Sequence, residues 1–107
     1  MGLNVNHPIT SAPLYVFNGP FTHVDRLLRQ SGVYLISVAE NGAHRVLDIG
    51  ESDDVHTRVK HHDRESQWLA NNNGGQLHVS SYYCDEPTRM LIERQLRGLF
   101  NLVCGER

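Results

Sequence analysis

The chain is poor in cysteine, in aromatic residues and in surplus positive charge, and it has no long apolar run. Its 107 residues hold two cysteines, Cys84 and Cys104, which stand twenty positions apart and in no C-x-x-C pair. That spacing argues against a disulfide framework and against a cysteine zinc knuckle, and a reducing cytoplasm is the expected compartment. No wholly apolar run exceeds a few residues, which excludes a transmembrane helix, so no membrane partner is expected. The opening MGLNVNHPITSAP lacks both a basic n-region and an apolar h-region, so no signal peptide is expected. Ten Lys and Arg face twelve Asp and Glu, a net charge of −2, so no nucleic-acid binder is recognisable from the isoelectric point alone. What is present is ordinary for one soluble domain with a modest core: 39% hydrophobic and 21% charged residues.

Residues 1–13 carry two prolines and no periodicity and read as a loose arm, with one domain over 14–107. Leu14 to Phe17 is a short β-prone run closed by the turn signal Asn18-Gly19-Pro20. Thr22 caps a short helix whose Val24, Leu27 and Leu28 share a face. Val33 to Ala39 and His44 to Ile49 form two strands around Asn41-Gly42, a strong hairpin signal. Ser52 to Leu69 reads as helical in two pieces, capped by Ser52, Asp53 or Asp54. After the loop Asn71 to Gly75, Gln76 to Cys84 makes a third strand. A last helix starts at Asp85, tolerates Pro87 in its first turn, and carries Ile92, Leu96 and Leu99 as its core stripe. The order β-α-β-β-α-β-α predicts an α+β fold. Its small, mainly antiparallel three-stranded central sheet is flanked by helices, with an extra N-terminal strand and helix.

Within that frame several chemistry-bearing residues fall into one pattern. Gly32-Val33-Tyr34 opens the first hairpin strand and Asp48-Ile49-Gly50 closes the second. Arg58 follows on the next helix, His62 stands four residues further, and Glu93 lies on the last helix. Taken singly, Arg58 and Glu93 read as surface charges, Tyr34 as a strand tyrosine, and the glycines as turn residues. Their joint spacing resembles the GIY-YIG nuclease family, in which GIY and YIG lie on neighbouring strands, a helix carries R-x-x-x-H, and a later helix carries a metal-binding Glu. The segment DIGESDDVHTRVKHH follows the family run YIGxSxxLxxRLxxH except at its first residue, with Val55 and Val59 in place of its two Leu. The likeness spans about Gly32 to Gly105.

The resemblance implies DNA cleavage by metal-dependent phosphodiester hydrolysis. It makes Glu93 the ligand of Mg²⁺ or Mn²⁺, a hard cation that leaves most of its shell to water and phosphate. It gives Arg58 the developing phosphoryl charge and Tyr34 the part of general base or water-orienting group. His62 is a phosphate contact or proton acceptor. Lys60, Arg64 and Arg89 are candidate DNA contacts on the flanking helices.

The departures are informative. The family's second tyrosine is Asp48 here, the residue after YIG is Glu51 where one branch has Lys, and the C-terminal Y-N-P-x-C-N reads Phe100-Asn101-Leu102-Val103-Cys104-Gly105. Asp48 raises the hypothesis of a site in which it shares the metal with Glu93. Two other readings stand beside the nuclease: a module of the same fold that holds nucleic acid without cutting it, and a protein-interaction domain. The trio His56, His61 and His62 has no Cys or acidic partner at a structural-zinc spacing. Trp68, Tyr82 and Tyr83 read as core or sheet-face residues rather than base-stacking platforms. No targeting domain fits in the chain, so specificity is expected from the arm, from the Asn71–Gly75 loop, or from a homodimer or targeting partner.

Overall fold

A computed structural model describes residues 2–105. It contains strands β1 (Gly2–Asn6), β2 (Pro13–Phe21), β3 (Gly32–Glu40), β4 (Ala43–Ser52) and β5 (Leu77–Tyr83), and helices α1 (Val55–Lys60), α2 (Glu65–Ala70) and α3 (Glu86–Leu99). The strands form one sheet in the order β1-β2-β5-β3-β4, with every neighbouring pair antiparallel. The expected α+β class holds. The three strands expected at the centre are β5, β3 and β4, and the N-terminal pair widens the sheet to five.

Strand β3 lies between β5 and β4 and is buried from Gly32 to Val38, so its run GVYLISV packs on both faces. Val33 and Leu35 join Val5, Phe17, Ile49, Ile92 and Leu96 in one core cluster, beneath α3. Tyr34, Ile36 and Val38 join Leu47, Val55, Val59 and Trp68 in the other, beneath α1 and α2. The hairpin turns at Asn41-Gly42, both at positive φ, as its right-handed twist favours. A bulge then leaves Leu47 without a partner on β3, because Ile36 pairs with Asp48 and Ser37 with Val46.

Three expectations are corrected. The presumed arm contains β1, whose Leu3 and Val5 pair with Phe17 and Tyr15 and whose Val5 is buried. Asn18-Gly19-Pro20 is no turn: β2 runs through it to Phe21, with an irregular register against β5 and Gly19 pressed on Val79 and Ser80. The helix expected from Thr22 is a single 3₁₀ turn, Val24–Arg26. The two-piece helix is observed, with Asp54 capping α1 through the Thr57 amide. No helix among the described residues is long and apolar enough to cross a membrane.

Candidate active site

The site starts at a cross-strand pair. Tyr34 on β3 faces Gly50 on β4, and the phenol lies so close that a Cβ at Gly50 would overlap its hydroxyl. The glycine of the IG pair is therefore required by the tyrosine of the GVY triplet. Tyr34 is 1% exposed, and its hydroxyl is 2.5 Å from His62 Nε2. His62 is not on α1, as its spacing from Arg58 suggested. The helix ends at Lys60, and His62 turns inward in the link to α2, packed edge-on to Tyr34 and against Trp68. Its Nδ1 accepts the Arg64 amide at 3.0 Å. The neutral ring is therefore assigned its proton on Nε2, which donates to the Tyr34 oxygen.

The electrostatics fix the protonation of this pair. Burial, reinforced by the Arg58 and Arg64 guanidiniums, pulls His62 down to about 4. Burial pushes the Tyr34 phenol up to about 12 against the pull of the same two arginines. Near neutral pH both are uncharged, and Tyr34 is not a ready base. Arg58 extends from α1 to Asp63, with Nη2 to Oδ1 at 3.2 Å, in a solvent-exposed pair. Such a pair is worth about 0–1 kcal/mol, so a phosphate can displace the carboxylate.

Asp48, at the position of the missing tyrosine, is wholly buried. Its Oδ1 accepts from the Ile49 amide (2.9 Å), Arg97 Nη1 (2.9 Å) and Arg64 Nη2 (3.4 Å). Its Oδ2 accepts from Arg64 Nε and from the Trp68 indole, both at 2.8 Å. Burial alone would raise its pKa, but the bonds from Arg64, Trp68 and Arg97 outweigh it and hold the carboxyl below its usual range. These donors consume the lone pairs of both oxygens. Asp48 has no oxygen left for the metal it was expected to share with Glu93. The closing tail is fastened here as well. Arg97 donates to the Ile49 and Cys104 carbonyls, the Cys104 amide to Leu47, and the Gly105 amide to Gln67. Gly105 sits at φ +83°, and a Cβ there would meet Arg97, Asp48 and Arg64 at 2.7–3.0 Å. Trp68 and Arg97 thus belong to the site's frame although the sequence marked neither for it, and so does Gly105, which stands at the last position of the family's C-terminal pattern. The one usable signal was an acidic residue inside the apolar stretch Val46–Ile49, which requires buried donors from elsewhere.

Glu93 lies half-buried on α3, in one line with Arg89 and Arg97. Arg89 is taken: its Nε donates to Glu51 (2.7 Å) and its Nη1 to Ser31 (2.9 Å), and its side chain is 12% exposed. It therefore braces α3 against the hairpin. Lys60 is exposed at the end of α1. Glu93 makes no hydrogen bond or ion pair with the described residues. Burial raises its pKa, Arg97 opposes that, and Glu51 adds to it. Among the described residues no three His, Cys, Asp or Glu side chains cluster as a metal cage. A half-buried carboxylate with no hydrogen bond to the described residues fits the other kind of site, in which a Mg²⁺-like ion takes one carboxylate and keeps its waters.

The structure thus brings Tyr34, Arg58, His62 and Arg64 together under α1 and α2. It places Glu93 on α3, within electrostatic range of Arg97 and Arg64 but with no hydrogen bond or ion pair to them. No protein-family model, no curated protein and no solved structure matches the chain.

Proposed function

We propose that the chain is a metal-dependent endonuclease that hydrolyses DNA phosphodiester bonds, in the manner of the GIY-YIG family it resembles. The observation that carries this reading is the Tyr34–His62 pair, seated over Gly50 and bordered by Arg58, because it unites four separated motif positions in one contact set. In this reading Arg58 exchanges Asp63 for a phosphoryl oxygen and neutralises its developing charge. Tyr34, protonated at neutral pH, orients its neighbours instead of abstracting a proton, and His62 fixes the phenol from behind. Glu93 would hold Mg²⁺ or Mn²⁺, and the ion, when bound, supplies Lewis-acid stabilisation of the phosphoryl charge. The test is cleavage of supercoiled, linear and branched DNA with each metal. Arg58→Ala and Glu93→Ala should each lower the rate at least ~100-fold, and activity that survives Glu93→Ala overturns the assignment. The wild-type melting temperature should also rise with Mn²⁺ and that of Glu93→Gln should not.

A second reading is favoured by one observation: Tyr34 is 1% exposed and Asp48 is wholly buried. A module that holds DNA without cutting it has no need of them at the surface. It would show salt-dependent DNA binding and no cleavage with either metal.

A further inference from the structure

We infer that Arg64 is a second phosphate contact beside Arg58, and that Asp48 is the positioning residue that presents it. Asp48 is one buried carboxylate, yet two guanidiniums grip it, Arg97 from α3 and Arg64 from the start of α2. Arg97, with a side chain 7% exposed, already neutralises it. Arg64 is then a partly exposed cation at the rim of a buried network, with Asp63 and Glu93 as its other charged neighbours.

Geometry shows where an anion would sit. Asp48 takes Arg64 side-on, through Nε and one hydrogen of Nη2. The opposite edge of the fork, with Nη1, has no acceptor among the described residues, and the side chain is 23% exposed. One edge is anchored and the other is offered to solvent, the arrangement that suits bidentate recognition of a phosphate. The Arg64 amide is also the donor that fixes His62 Nδ1, and Asp63, the carboxylate that holds Arg58, lies 3.2 Å from the same nitrogen. Both guanidinium charges act on the single Tyr34–His62 pair. Gly105 keeps the Asp48 side of Arg64 clear, since any side chain there would strike its Nε. An aspartate in place of the family's second tyrosine thus acts through a recruited arginine. This inference rests on the proposed reading of a DNA ligand, and its occupant is a backbone phosphodiester.

The experiment is equilibrium binding of a short DNA duplex in EDTA, where no cutting occurs, across a range of salt. Arg64→Gln should weaken binding about tenfold and reduce the slope of log affinity against log salt by about 1, because one fewer phosphate is neutralised. Arg64→Lys keeps the charge and an ion pair to Asp48. It should keep the slope while binding about threefold or more weakly, because an ammonium cannot fork. Asp48→Asn placed on Arg64→Gln should change binding no further. An Arg64→Gln protein that melts like wild type and binds with unchanged affinity and slope overturns the inference. If that variant does not fold, unchanged affinity in Arg64→Lys does so. A wild type that binds no duplex at low salt also overturns it. Cleavage is scored separately. An Arg64 effect without cleavage removes the nuclease reading alone, and cleavage without an Arg64 effect removes this inference alone.

Discussion

His62 shows how much one side chain carries here. It is enclosed by Tyr34 and Trp68 and kept neutral to about pH 4, whereas a histidine in the unfolded chain takes its proton near 6.5. Between those values the unfolded state binds the extra proton, so stability present above about pH 6.5 is lost as pH falls toward 4. The loss assigned to this residue is about 3 kcal/mol. Urea titrations between pH 7.5 and 4.5 should show that slope, and His62→Gln should flatten most of it. His44, whose pKa burial also lowers, adds a smaller share of the same sign. A histidine with this task was legible only in part. The sequence paired it with Arg58 by number, but its direction depends on α1 ending at Lys60, and that follows from the packing of His62 itself. The surroundings of Asp48 were not legible for a related reason: its side-chain donors lie 16 to 49 residues away, beyond the reach of any local pattern.

Among the elements, the β3–β4 hairpin was the most legible, because Asn-Gly and two β-rich runs specify it locally. What spacing could not reveal is that the two glycines within its strands act at a distance. Gly32 lies against the Tyr82 carbonyl of β5 and Gly50 under the Tyr34 ring, so both are required by close approach and not by a turn. Gly50→Ala drives a methyl group into the phenol. It should cost about 3 kcal/mol in chemical denaturation, and DNA binding should fall as the ring, His62 and Arg58 shift together. Strand β2 was the least legible element. Asn18-Gly19-Pro20 is turn chemistry by composition, but β5 pairs on both sides of it at Ser81 and Val79, and that tertiary pairing overrides the local signal. The 3₁₀ turn at Val24–Arg26 fell short of a helix in the same way: the chain is drawn off toward α1, where the Leu28 and Gln30 carbonyls accept the His56 and Val55 amides.

At the scale of the molecule, the sheet separates two cores, one under α3 and one under α1 and α2, and the ion network of Asp48 joins them around the β4 edge. Strand β1 belongs to the first of these. If the N-terminal segment were an arm, Val5→Ala would change stability by no more than about 0.5 kcal/mol. Because Val5 is 4% exposed and packed among Phe17, Leu35 and Ile49, the expected loss is about 2 kcal/mol. A urea midpoint lowered without a change in slope would confirm it. Net charge also reads differently at this scale. The internal pairs Asp48–Arg97 and Glu51–Arg89 remove two charges of each sign, so the overall −2 belongs to the remaining charges, among which Arg58 and Arg64 are local cations.

The fastening of the tail to β4 has one more consequence. An outermost strand presents unpaired acceptors to any other chain that can extend, and proteins with such edges tend to join sheet to sheet. Here the outward carbonyls of Leu47 and Ile49 are already occupied, by the Cys104 amide and by Arg97. A stranger's strand cannot dock along that stretch without first stripping off the tail. The bonds that hold the Asp48 network together therefore also guard the protein against aggregation at this edge, and a variant that frees the tail should lose solubility as well as stability.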